Sequence, residues 1–362
     1  MRMRKFWIQF HKISGLIVLI PLLLQSISGS IIVFDHAIDE WLNSDILCID
    51  TTNKTPAPLS DVITTAKNAV PGTTSIQLRK PRHDKTVYMA YPVMENHSPY
   101  ADQRLEVLID PYTAEVIAVR EWGHYFTSFI YLLHFTLLMG HSGELLLGFL
   151  AILVFVNVVV GVYLGWPKNA GAWRWLLASS SQKKPLLSQL RRWHILAGLL
   201  SLPVFILLIV SGIGLIFDKQ TNALLNSPTP PQLSIRTQSA QPTASDDWLA
   251  MIKHYWPNAE WMRINQSHDA ETATVVTLRT ANDPRKTSGS SRLWLDPYNH
   301  HIIAEQNYNT LSLRQKIYFW LFPLHSGEAF AITGRLFVFS SGLLVTLLTI
   351  AGGWLWYRRR RR

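Results

Sequence analysis

Long apolar runs alternate along this chain with polar segments of mixed periodicity. Residues 13–34 and 195–217 are each apolar for long enough to cross a bilayer, which takes about 20 residues. A longer run covers 126–166 and is densest at 145–164; a fourth begins near 317 and is densest at 336–356. The first run follows a basic start, as a signal peptide does. It exceeds a signal core, however, and no A-x-A site follows it, so a retained helix is expected. Between the first two runs, 59–70 has helical periodicity and stops at Pro71-Gly72, and 75–78, 86–91, 105–109 and 115–119 read as strands. Between the last two, 247–255 reads as a helix, and 261–265, 273–280 and 292–295 as strands. Residues 227–245, rich in Pro, Ser, Thr and Gln, read as a linker, and 281–291 as a polar hairpin loop.

Charge orients these segments. Charged residues make up only 16% of the 362 and hydrophobic ones 48%, against about 25% charged in an ordinary soluble protein. The net charge of +10 suggests nucleic acid or membrane, and its placement decides for membrane. Residues 1–12, 167–192 and 358–362 hold fifteen basic groups and no acidic one, and each segment abuts an apolar run. Trp7, Trp166, Trp193, Trp354 and Trp356 lie beside them as an interfacial belt. This is the positive-inside pattern: both termini and the 167–192 loop are expected in the cytoplasm, with no nucleic-acid partner and lipid as the surrounding phase. The single cysteine, Cys48, excludes a disulfide framework and any multi-thiolate metal site. Histidine, with 13 copies, is the remaining candidate ligand.

The two halves repeat. Phe10-His11 and Gly15 answer Trp193-His194 and Gly198; Ser28-Gly29 answers Ser211-Gly212; Phe34-Asp35 answers Phe217-Asp218, all at an offset of 183. Asp110-Pro111-Tyr112 answers Asp296-Pro297-Tyr298 at 186, as turn formers. Leu133-His134, Gly143 and Gly161 answer Leu324-His325, Gly334 and Gly352 at 191. The unit is helix, outside segment, helix, present twice in one orientation, as in parallel repeats.

An imidazole within a membrane helix is costly unless partnered, and is a functional candidate by default. The repeat makes two pairs, His11 with His194 towards the cytoplasmic face and His134 with His325 towards the outer one. Opposed imidazoles across a two-fold axis suit axial ligation of haem iron; the plainer reading is contact with headgroups or water. His141 is a further candidate. The strings His141-Ser142-Gly143-Glu144 and His325-Ser326-Gly327-Glu328 are identical at offset 184, so the register leaves open whether His134 or His141 partners His325. The two pairs would differ in height by roughly 30 Å, a whole hydrocarbon core, which His141 would shorten. Gly15, Gly29, Gly161, Gly198, Gly212 and Gly352 offer flat helix surfaces, for a cofactor or for close helix packing. Arg191 and Arg192 suit haem propionates or simple cytoplasmic anchoring. His36, His124, His254, His268, His300 and His301 read as ordinary solvated side chains. No nucleotide- or flavin-binding fingerprint is visible, so electrons would come from a partner.

The motif Phe10-His11-Lys12-Ile13-Ser14-Gly15-Leu16, its counterpart Trp193-His194-Ile195-Leu196-Ala197-Gly198-Leu199, the Ser-Gly pairs, the two Leu-His pairs and the Asp-Pro turns together resemble the PepSY-associated transmembrane-helix family of bacterial inner membranes. The resemblance covers nearly the whole chain. It implies an α-helical membrane protein: a four-helix transmembrane bundle from a tandem repeat, with two α+β periplasmic PepSY-like domains at 36–125 and 218–316. The spans are then 1–35, 126–166, 193–217 and 317–357, with a cytoplasmic loop at 167–192 and tail at 358–362. Some members of the family are di-haem ferric-siderophore reductases. The resemblance carries over two haem b groups, with His11, His194, His134 and His325 as iron ligands and His141 as an alternative, and an activity that passes electrons to a periplasmic ferric siderophore and releases Fe2+. The donor, a quinol or a flavoprotein, stays open, because this chain lacks the reductase extension of other members. The competing expectation is a non-enzymatic membrane protein whose outside domains bind a peptide, protease or envelope partner.

Overall fold

The computed structural model describes residues 2–51, 54–177, 185–228, 245–267, 272–296 and 301–360. Most of the expected 227–245 linker, Lys183, Lys184, His268, Pro297, Tyr298, His300, Arg361 and Arg362 lie outside the described residues. In chain order the helices are α1 (Arg2–Ile17), α2 (Leu19–Ile32), α3 (Asp35–Leu42), α4 (Ser44–Leu47), α5 (Leu59–Asn68), α6 (Phe126–Thr136), α7 (Gly140–Gly165), α8 (Ala170–Leu177), α9 (Leu186–Ile216), α10 (Asp218–Leu225), α11 (Ser245–Tyr255), α12 (Leu313–Ser326) and α13 (Ala331–Arg360). The strands are β1 (Thr73–Arg79), β2 (Tyr88–Met94), β3 (Leu105–Ile109), β4 (Val116–Glu121), β5 (Glu260–Ser267), β6 (Thr274–Arg279), β7 (Ser291–Leu295) and β8 (Ile302–Gln306). The chain divides into a helical unit, Met1–Asp35, Ile130–Thr221 and Leu321–Arg362, and a sheet unit, His36–Phe129 and Asn222–Trp320.

In the helical unit α7, α9 and α13 are each long and apolar enough to span a membrane, and α1 with α2 makes a fourth span if the bent pair counts as one. The 60° bend between them has a local cause. Pro21 has no N–H to offer, and its ring crowds the carbonyl of Ile17, the last residue of α1. Packing follows the repeat: α1 lies on α7 and α9 on α13, while α2 meets α13 and α7 meets α9.

The second and fourth apolar runs are not single helices. Each is a shorter helix joined to a long one. Between α6 and α7 the backbone enters left-handed conformations at Leu137, Leu138 and Gly140; between α12 and α13 it does so at Gly327. A methyl group on Gly143 would strike the carbonyl of Thr136, and one on Gly334 the carbonyl of Gly327. Glycine at these two equivalent positions is what lets the backbone approach so closely at each joint.

The two outside segments, expected as two α+β domains, share one eight-stranded sheet. The order is β4-β3-β2-β1-β5-β6-β7-β8, antiparallel throughout. The seam is β1 on β5, where Leu78 pairs with Ile264, its equivalent in the repeat. Either half alone would expose an apolar strand edge at that seam, so joining satisfies both backbones at once. The apolar face of the sheet packs under α5 and α11: Leu59, Val62, Ile63 and Ala66 of α5 and Ile252 of α11 meet Ile76, Leu78, Ile264, Val276 and Leu293. Strand β8 and helices α3, α4 and α10 are additions to the elements legible in the sequence.

Candidate functional site

All four repeated histidines lie in the helical unit. His11 is on α1, His134 near the end of α6, His194 on α9 and His325 near the end of α12. The ring centres of His11 and His194 are 6.2 Å apart with planes at 74°, and those of His134 and His325 are 6.3 Å apart at 55°. The structure thus brings together the pairs that the repeat predicts.

The same local device holds each ring. Glycine opposite each histidine lets the imidazole lie against a neighbouring backbone. A Cβ added at Gly161 would sit 2.8 Å from Cε1 of His11; at Gly352, 3.0 Å from His194; at Gly29, 2.9 Å from His134; at Gly212, 3.1 Å from His325. The rings therefore need bare backbone there. Gly15 and Gly198 face Asn157 and Leu348 instead and serve helix packing.

Hydrogen bonds then fix the tautomer. Nδ1 of His11 donates to the carbonyl of Asn157 (3.1 Å), and Nδ1 of His194 to the carbonyl of Leu348 (2.9 Å). Ser28 gives its hydroxyl proton to the carbonyl of Leu24 (2.6 Å), so its oxygen accepts from Nδ1 of His134 (3.0 Å). Ser211 likewise donates to Leu207 (2.6 Å) and accepts from Nδ1 of His325 (3.0 Å), which also reaches the carbonyl of Leu208 (3.1 Å). With the proton on Nδ1, the lone pair of Nε2 is free in all four rings. This is how metal-binding histidines are oriented. All four histidines are half-buried residues.

The spacing has a direct chemical meaning. One metal held by a nitrogen from each of two imidazoles, at about 2 Å per bond, sets the ring centres about 6 Å apart. Among the described residues no group of three or more His, Cys, Asp or Glu side chains converges anywhere. Each pair offers two nitrogens, and a bound metal would bring its remaining ligands with it. Porphyrin supplies four such nitrogens in a plane, so the donor set fits haem.

His141 does not join either pair. Its side chain is 78% exposed, and its Nδ1 lies 3.2 Å from Glu144. The structural register is offset 191, because the joint after α6 matches the joint after α12; the identical His-Ser-Gly-Glu strings do not superpose. Arg192 donates to the carbonyl of Leu176 (2.7 Å), and Arg191 lines a cavity of about 410 Å³ with Arg4, Trp166, Lys168 and Trp175. In the sheet unit His124 pairs with Glu121 (3.4 Å).

Asn157 escaped the reading of the sequence. It is a lone amide in the apolar run of α7, and its side chain accepts from Ser14 (2.9 Å) while its carbonyl holds His11. Its repeat equivalent is Leu348, since only the carbonyl is needed for the imidazole. Between the two pairs lies an apolar cluster of Val18, Val154, Phe205, Ile209 and Val345.

Fold and site together define a multi-pass membrane protein with symmetric imidazole pairs. The chain matches the family model described as the PepSY-associated TM region over residues 8–359, and it belongs to that family. No curated protein matches it.

Proposed function

We propose that this protein is a di-haem electron carrier of the bacterial inner membrane that reduces a ferric siderophore and releases Fe2+ on the periplasmic side. The paired imidazoles carry the reading. An edge-to-face contact between two aromatic rings also allows a spacing near 6 Å. It gives no reason for four Nδ1–H groups to be anchored so that Nε2 is left without a proton, nor for a glycine under each imidazole.

In this reading His11 and His194 hold the cytoplasmic-side haem, and His134 and His325 the periplasmic-side one. Haem, when bound, supplies one-electron redox chemistry. The chain's own residues do the rest. Asn157, Leu348, Ser28, Ser211 and Leu208 set the imidazole orientation and basicity through Nδ1. The apolar cluster between the pairs excludes water and ions. Four spans place both termini inside by the distribution of positive charge. A quinol or flavoprotein gives one electron; Fe3+ in the chelate gains it. The product Fe2+ is softer and less charged, and hard oxygen donors hold it poorly.

The test is stoichiometric. Protein reduced with dithionite and freed of excess reductant is mixed with a ferric chelate and a ferrous-specific dye. The Soret band is expected to return to its oxidised position with one Fe2+ trapped per haem oxidised. A reduced protein that stays reduced before a panel of catecholate, hydroxamate and carboxylate chelates contradicts the proposal.

A further inference from the structure

The polar face of the eight-stranded sheet carries an arrangement that folding alone does not explain. Strand pairing places Arg79 of β1 opposite Arg263 of β5, Arg263 opposite Thr277 of β6, and Thr277 opposite Arg292 of β7. The neighbours Leu78, Ile264 and Leu293 point into the core, so all three arginines stand on the other face. At about 4.8 Å per strand the guanidinium stems are about 5 and 10 Å apart in one row. Like charges directly opposite each other on a sheet are destabilising. A β-bulge between Trp261 and Arg263 adjusts the aim of the central one.

Several other cations of this unit are neutralised. Arg120 binds Asp39 and Glu106 (2.8 Å each), and Lys80 and Arg279 both bind Glu260. Among the described residues no carboxylate pairs with Arg79, Arg263 or Arg292. Nε of Arg79 and Nε of Arg263 are buried without an acceptor, and Oδ1 of Asn265, on the same face, is buried without a donor. Arg79 lies 4.4 Å over the ring of Tyr91. Burial, with the charges of Arg79 and Arg292 added, pushes Arg263 down to about 10, and burial lowers Arg292 as well. The protein therefore holds three partly covered guanidinium groups together at a cost, with donors to spare.

We infer that this row is a binding site for a negatively charged, oxygen-rich metal chelate of the polycarboxylate class. The inference rests on the ferric-chelate reading for its biological ligand and names the charge of that ligand. Guanidinium forks match carboxylate geometry and form charge-assisted bonds, so a chelate with two or more free carboxylates spans the row. A neutral chelate offers it no charge-assisted bond.

Gallium citrate is the probe, because Ga3+ accepts no electron under these conditions and binding is read apart from redox chemistry. Calorimetric titration of the full-length protein in detergent is expected to show binding that Arg263→Gln weakens about 10- to 100-fold. Arg263→Lys is expected to recover part of it, and a neutral gallium hydroxamate to give no heat. The melting temperature of Arg263→Gln is expected to hold or rise, since a like-charge contact is relieved. Arg292→Gln, at the end of the row, is the second variant in case the first fails to fold. Wild-type protein that ignores gallium citrate, or variants that bind it as wild type does, overturn the site. If gallium citrate binds and ferric citrate is never reduced, the electron-transfer reading fails and the site stands. If Arg263→Gln reduces ferric citrate with unchanged affinity, the site fails and electron transfer stands.

Discussion

Each histidine of the pairs lies on one glycine and is anchored at Nδ1, by one acceptor or, for His325, two; the glycines and the two serine hydroxyls can be removed singly. Gly161→Ala places a methyl 2.8 Å from Cε1 of His11, and the ring must turn. Loss of one of two haems is expected, read as the haem-to-protein ratio. Gly15→Ala meets only a 3.4 Å contact with Asn157 and is expected to keep both. Ser28→Ala removes the acceptor for His134, and a loss of about 10- to 100-fold in haem affinity is expected for the periplasmic-side site, measured by transfer to apomyoglobin. The histidines were legible because they recur at fixed offsets. Of their acceptors, Ser28 and Ser211 recur with them, whereas the carbonyls of Leu208 and Leu348 carry no side-chain signature. Asn157 did leave a signal, an amide amid apolar residues. His141 was ambiguous for a different reason: a tetrapeptide repeated at the wrong offset, and only the backbone joint tells which register is structural.

At the scale of elements, joints and seams set the geometry. Gly327 has φ +80° and touches Gly334 across the α12–α13 joint. Gly334→Ala pushes that joint open and is expected to shift His325 away from His134. The measurement is selective loss of one haem signal with the other intact. The β1–β5 seam is tested by Ile264→Ala, which empties a fully buried position and is expected to cost about 2–5 kcal/mol in chemical unfolding of the sheet unit. Glu260 supports the same seam. Burial alone would raise its carboxyl, but Lys80 and Arg279 hold it below the ordinary range. Its stabilisation is present above that range and is lost as pH falls through the lowered value, so Glu260→Gln is expected to flatten the acid limb of the stability profile. The strands were largely readable from alternation, whereas the seam was not. Pairing between segments more than a hundred residues apart leaves no local trace, and two short sheets read separately look like two domains. The breaks after α6 and α12 were hidden in the same way, because apolar composition continues through Leu137 and Leu138 while their backbone does not stay helical.

Across the whole molecule, the two pairs are far apart. His194 and Gly212, on which His325 lies, share α9 and are about 27 Å apart along it at about 1.5 Å per residue. His141 does not shorten that distance, and Phe205 with its aliphatic neighbours fills the middle. In the proposed function, electron passage then depends on both haems, and neither pair acts alone. The most direct measurement is the haem content of purified protein from haem-replete cells, taken with its absorption spectrum. Two haem b per chain are predicted, falling to one in His194→Ala and to one in His325→Ala. A colourless wild-type protein, or single variants that keep both haems, would contradict the account.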